Sequence, residues 1–354
     1  MMNQTKHWIN AGKFIAIVAV IVNHTHNLIY KNETIEYISF FSVSLFILLS
    51  GVTSYYSCER HYANRGIKEL LRRISSIFIP YVVATAAYMF INDGTINARG
   101  FLSHIIHFSA SIPFYFIFFY MQLVAISMYL YDFICVLNSK KHPVILHILA
   151  TITLAGMAVI LMRFPLSTGI YGGGAYLFGG TYLILFYIGM VFASFRFQFR
   201  AIKSSGITAF VTSIVTLLWI ILTCKNRFAL DTYFPFGVGR NPPGISLMIY
   251  GVLIFALLFS LISFIELLKN KAAYKIVEAI SWLGGYSLYI FLFHSAIRDV
   301  LTRLIPAAMQ QRIWLMRATF MTSMVFIPVL VGYLYKSVKT AYSNAVLKAH
   351  ELEK

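Results

Sequence analysis

The sequence predicts an all-α polytopic membrane protein, a bundle of about ten transmembrane helices with the N-terminus and C-terminus both cytoplasmic. Three observations carry this. Hydrophobic residues make up 59% of the 354 and charged residues only 12%, where a soluble domain has about a quarter charged. Apolar runs of bilayer-crossing length, roughly 20 residues, follow one another along nearly the whole chain. Lys and Arg collect in alternate loops, as they do on the cytoplasmic side of membrane proteins. The net charge of +17 then has a topological cause, and nucleic acid is not expected as a partner.

The apolar segments fall at approximately 8–30, 38–57, 74–91, 113–137, 144–162, 174–194, 207–225, 245–268, 282–301 and 314–337. With the N-terminus inside, the inner segments hold about 19 of the 29 Lys and Arg residues. The exception is one outer loop crowded by Arg298, Arg303, Arg312 and Arg317, either a solvated face or a meeting place for an anionic acceptor or lipid headgroups. Residues 1–340 read as a single transmembrane domain and 341–354 as a short cytoplasmic tail. The chain is expected to cross its membrane many times.

The first segment is WINAGKFIAIVAVIVNHTHNLIY, Trp8–Tyr30. Lys6 ahead of an apolar run resembles the start of a signal peptide. The run is too long for one, though, and NHTHNLIYKNE follows it instead of a small-residue cleavage site. It reads as a retained helix. Lys13 and His24 are eleven positions apart, nearly on one helical face and roughly 16 Å from each other. His26 lies two residues further on. Ionisable groups at such depth face a protein interior or a wet cavity; alternatively, Lys13 snorkels to the interface and His24 is a packing residue.

Helix two carries FFSVSLFILLSG. Its Ser50-Gly51 pair lets another helix come close, or leaves room beside it for a thin ligand. The inner loop that follows, CERHYANRGIKELLRRISSIFIPY, places Arg65, Lys68, Arg72 and Arg73 near helical spacing. Topology explains such clusters, and so does a phosphorylated ligand, since guanidinium pairs phosphate oxygens bidentately. Pro80 marks a kink or a local break in helix three. Gln122 is alone among apolar neighbours in helix four, so it needs a hydrogen-bond partner or a cavity. In helix nine, LGGYSLYIFLFH brings His294 to a depth similar to that of His24, and imidazole can act as a general base near neutral pH.

Other features exclude alternatives. Cys58, Cys135 and Cys224 form no disulfide framework, with Cys224 expected on the opposite side from the other two, and no zinc spacing occurs. The Gly-rich stretch Arg163–Gly180 lacks the Lys-Ser/Thr of a phosphate cradle and reads as an outer loop. The sequence does not set an oligomeric state.

Taken together, these motifs resemble acyltransferase family 3, the integral membrane acyltransferases that include O-acetyltransferases of bacterial envelope polysaccharides. Lys13 and His24 resemble the family's basic-x10-His signature, with Lys in place of the more frequent Arg. LFILLSG resembles its FFxxSG element, RRISSIFIPY its (K/R)RxxRxxxPY element, and PFYFIFFYMQL its LWFLxxLxxxY region, with Tyr115 where Trp is common. YLILFYIGMVF resembles FFxxGM, and YSLYIFLFH resembles SLxIYLxH. The matches occur in family order and span Lys13 to His294. Two departures stand out: Lys13 lacks the forked contacts of Arg, and Ser44 occupies the neighbourhood where many members carry Asp.

The resemblance implies transfer of an acetyl group from cytoplasmic acetyl-CoA, as co-substrate and without a metal, to a hydroxyl of a cell-envelope carbohydrate, free or lipid-linked. It implies catalytic roles for His24, Lys13 and His294, and CoA-phosphate contacts from Arg72, Arg73, Lys68 and Arg65. Ser50, Gly51, Tyr115 and Gln122 would line the tunnel or the acceptor's vicinity. Alternatives on the same scaffold are succinyl transfer or N-acylation; from another class, a proton-coupled transporter or flippase of glycan intermediates.

Overall fold

A computed structural model describes residues 4–64, 66–163, 177–226, 229–233, 241–304 and 313–352. Among them the chain is helical, with no β-strand. Its helices, in order, are α1 (Gln4–His24), α2 (Glu33–Ile38), α3 (Ser42–Arg60), α4 (Ile67–Asp93), α5 (Ala98–His107), α6 (Tyr115–Asn138) and α7 (Pro143–Arg163). They continue with α8 (Tyr182–Ser194), α9 (Ile202–Thr223), α10 (Ala229–Tyr233), α11 (Ile245–Leu267), α12 (Lys271–Gly284), α13 (Ser287–Leu304) and α14 (Ile313–Leu352). This is an all-α polytopic membrane protein. Seven described helices are long and apolar enough to span a bilayer, or eight if the bent α12–α13 pair is one span.

Three expected segments differ in form. α1 ends at His24, and Asn10, Lys13 and Asn23 dilute its apolar run. Such a helix belongs inside the bundle, and α1 packs against α3, α11, α12 and α13, which screen it from lipid. α8 is only 13 residues long, about 20 Å of helix, less than the roughly 30 Å hydrocarbon core. The segment expected at 282–301 is two helices meeting at 68°. Gly284 is pressed against the backbone of Asn10, where a Cβ would strike the Asn10 carbonyl. The carbonyl of Gly285 at the break accepts from Lys336 Nζ at 2.8 Å, and that ammonium lies 4.2 Å from the Tyr286 ring centroid. A neighbouring helix thus satisfies the interrupted backbone. α4, by contrast, continues through Pro80, and α14 continues through the expected tail to Leu352.

Helices α3 and α8 cross at two glycines. A Cβ on Gly51 would meet the Phe186 carbonyl, and one on Gly189 would meet the Leu48 carbonyl. The small pair in helix two therefore serves close backbone packing, with α8 filling the space beside Gly51. α7 and α9 sit at the periphery, mostly exposed along their apolar windows, as suits lipid-facing spans.

α3 and α6 run in the same direction and define two ends of the bundle. Their first turns, at Ser42 and Tyr115, meet the end of α1; their last turns, at Cys58 and Tyr131, meet the first turns of α4. The sixteen helical steps from Ser42 to Cys58 separate these ends by about 24 Å.

Candidate active site

His24 is the last residue of α1, and the chain turns sharply after it. Thr25 Oγ1 donates back to the carbonyls of Ile21 at 3.0 Å and Val22 at 2.9 Å. Asn27 adopts φ 64°, a left-handed conformation that Asn tolerates better than most residues. The Tyr30 hydroxyl donates to the Val22 carbonyl at 2.8 Å. The turn folds His26 and Tyr30 back over the helix end, so both histidines of the NHTHN motif sit at the same mouth.

His294 comes from α13 and is fully buried. Its Nδ1 lies 2.7 Å from the Phe291 carbonyl and 3.1 Å from that of Ile290. A carbonyl only accepts, so Nδ1 carries the proton and Nε2 is the basic nitrogen. Ser295 Oγ lies 3.1 Å from that Nε2. Next to it, the Ala296 amide donates to the Tyr88 hydroxyl at 2.9 Å, which ties α4 to α13. The His24 and His294 rings stand 5.1 Å apart between centroids and are tilted by 60°. The two histidines of similar expected depth are thus neighbours.

Two cavities meet at His24. One, of about 160 Å³, is lined by His24 with Ser44, Tyr115, Phe116, Asn241 and Phe291. The other is an open cleft of about 430 Å³, lined by His24 and His26 with Arg298, Asp299, Thr302 and Arg303. His24 is the residue common to both linings. Arg298 lies one helical turn from His294 and donates from Nε and Nη2 to Asp299 Oδ1, at 2.8 and 2.7 Å. Arg303 donates to the Ile91 carbonyl at 2.6 Å and to Asn92 Oδ1 at 3.0 Å, and Arg317 to the Ile29 carbonyl at 2.7 Å. Arg303 thus supplies a donor to a carbonyl in the last turn of α4, which intrahelical bonding leaves open, and Arg317 to one in the turn between α1 and α2. Arg312 lies outside the described residues.

At the opposite end a narrow pocket of about 10 Å³ is lined by Cys58, His61, Glu69, Arg73, Tyr131 and Asp132 among others. Arg73 is partly buried there, with Nη1 3.2 Å from Cys58 Sγ. Arg72 is more exposed and paired bidentately with buried Glu69, both contacts at 2.6 Å. Lys68 is exposed, and Arg65 lies outside the described residues. Between the two ends, the seam of α3 and α6 holds Phe46, Phe116 and Tyr120 in mutual ring contact, with centroids 5.4 to 6.4 Å apart. Ser50 is fully buried in the same seam, facing the Tyr120 phenol.

Of the expected site residues, the fold brings together His24, His294 and Tyr115 at one end and Arg72 and Arg73 at the other. Lys13 is partly buried on α1, eleven residues from His24. Gln122 makes structural contacts: its Oε1 accepts from the Phe178 amide at 2.9 Å, pinning the segment that leads into α8. Sequence reasoning placed Arg298 only in an outer cluster and gave His26 and Glu36 no role. The signals were there, in the i, i+4 spacing of His294 and Arg298 and in the His-x-His motif.

The comparisons agree with this architecture. The model of an acyltransferase domain matches residues 6–336, nearly the whole chain. Neither the curated proteins nor the solved structures contain a significant match. With its paired histidines and all of its motifs inside the matched region, the chain belongs to acyltransferase family 3 and is a membrane transferase of acyl groups.

Proposed function

We propose that the protein moves an acetyl group from cytoplasmic acetyl-CoA to a hydroxyl of a cell-envelope carbohydrate, from within the cytoplasmic membrane of a bacterium. The Arg73 end is the cytoplasmic mouth, where Arg73, with Arg72, Lys68 and Arg65 around it, receives the CoA phosphates. The pantetheine arm follows the seam of α3 and α6 past Ser50, and the rings of Phe46, Phe116 and Tyr120 move aside to admit it. The thioester then reaches His24 from one side while the acceptor occupies the open cleft on the other.

In the transfer, the acceptor oxygen bonds to the acetyl carbon and the carbon–sulfur bond breaks. The hydroxyl proton passes to an imidazole and the thiolate leaves to be protonated in turn. His24 serves as base or as transient acyl carrier, and His294, its Nδ1 proton held by the backbone, orients it. Lys13 steadies the passage electrostatically.

One observation carries this reading: two imidazoles 5.1 Å apart, one of them shared by two cavities. The test is envelope-carbohydrate acetyl ester content in cells carrying wild type or His24→Ala, normalised to membrane abundance. Loss of esters with undiminished protein supports the reading. Unchanged esters, together with acetyl-CoA left intact by purified wild type, would sink it.

A further inference from the structure

The open cleft contains a second imidazole with its own carboxylate. His26 lines the cleft beside His24, and its Nδ1 lies 3.6 Å from Glu36 Oε1. Glu36 belongs to α2, a short helix that starts at Asn32, whose side chain accepts from the Thr34 and Ile35 amides. This cap fixes the rotation of α2 and turns Glu36 inward, where it is buried at 8% exposure. Asn27 Nδ2 lies 3.1 Å from Nδ1, and the Tyr30 ring packs edge-on against the imidazole at 5.4 Å. Nε2 is shielded from solvent and makes no hydrogen bond among the described residues. The Glu36 carboxylate beside Nδ1 favours the proton there, and the Asn27 carboxamide, turned over about its terminal bond, presents its oxygen in place of Nδ2 to the same proton. That leaves Nε2 as the basic nitrogen, with no hydrogen-bond partner among the described residues. A buried polar atom without a partner is costly, so the arrangement is built for a ligand group.

We infer that His26 is the general base that takes the proton from the acceptor hydroxyl, and that Glu36 is its positioning residue. This rests on the acyl-transfer reading above and divides the labour within it. His24, common to both cavities, handles the acyl group, while His26, confined to the cleft, handles the acceptor. As the acceptor oxygen forms its bond to the acyl carbon, that carbon loses its bond to the leaving group, the thiol sulfur or a His24 nitrogen. The hydroxyl proton moves to His26 Nε2 and is then returned to the departing group. Atoms and charge balance without a further reactant.

The test uses full-length protein in proteoliposomes with acetyl-CoA and de-esterified envelope carbohydrate from cells lacking the protein. His26→Gly should lower kcat about 100-fold, the upper part of the range for a lost general base being higher still, with the apparent KM for acetyl-CoA unchanged. Added imidazole should restore part of the rate, which replacement of a merely structural side chain would not allow. Glu36→Gln should lower kcat about 10-fold, with Glu36→Asp in between. The inference falls if His26→Gly retains kcat within about threefold of wild type, or if its loss is not relieved by imidazole. If wild type itself leaves acetyl-CoA intact, the acetyl-transfer reading fails first, a distinguishable result.

Discussion

Arg298 Nη1 donates to the backbone carbonyl of His24 across 3.4 Å, while its other nitrogens hold Asp299. One guanidinium therefore fixes the last residue of α1 against the helix that carries His294. The contact needs a planar fork that reaches two partners, which Lys cannot reproduce. Arg298→Lys should keep the charge yet lower kcat about tenfold, through misplacement of His24. Acetyl-ester yield per membrane-inserted protein measures this, and a yield equal to wild type would dissociate Arg298 from the placement of His24.

His294 is the more deeply placed of the paired histidines, and its orientation is set by the Phe291 carbonyl. Replacing it with Asn preserves a donor for that carbonyl but removes the second ring nitrogen. His294→Asn should reduce kcat by at least about 100-fold, with normal abundance and an unmoved KM for acetyl-CoA. A change confined to KM would make His294 a donor-binding residue instead.

The two arginines at the other end are predicted to differ. Arg73 lines the pocket, whereas Arg72 is committed to Glu69. Arg73→Ala should raise the apparent KM for acetyl-CoA several-fold with a smaller fall in kcat, the pattern of lost ground-state binding. Arg72→Ala should have the weaker effect on KM. Steady-state kinetics on both variants decide between them, and an unmoved KM for Arg73→Ala would leave that cluster to topology alone.

Gly51 and Gly189 test the packing of α3 on α8. A methyl group at either glycine meets backbone, which cannot swing aside as a side chain can. Gly51→Ala should cost at least about 1–3 kcal/mol, as overpacking does, read as a lower midpoint of thermal unfolding in detergent. Gly156→Ala is the control, because a Cβ there meets nothing within 4 Å.

The fold was legible because lipid imposes it: length and hydropathy mark the spans on the surface of the bundle, such as α7 and α9, most clearly. They mark α1 and α8 less well, since helices enclosed by other helices can be polar or short. His24 and His294 were legible as single polar residues in apolar runs, and similar depth suggested their meeting. His26 and Glu36 were not, because their pairing depends on a tight turn at Asn27 and a six-residue helix, neither of which leaves a periodic trace. The arginine cluster was legible in part: Arg298 and Arg303 do line the open cleft, whereas the engagement of Arg303 and Arg317 with backbone carbonyls of other segments leaves no trace in the sequence.

The packed rings of Phe46, Phe116 and Tyr120 have an electrical consequence. A protein with polar pockets near both faces of an energised membrane is at risk of becoming a proton leak. Closely packed aromatic rings leave no room for a continuous file of water, and a dewetted apolar constriction blocks ion passage even where its backbone is wide enough. The seam can thus be read as insulation as well as a passage, holding the two pockets at different potentials while the acyl chemistry waits for its donor. Phe116→Ala would then reveal itself first in collapsed pH gradients across proteoliposomes, before any change in ester yield.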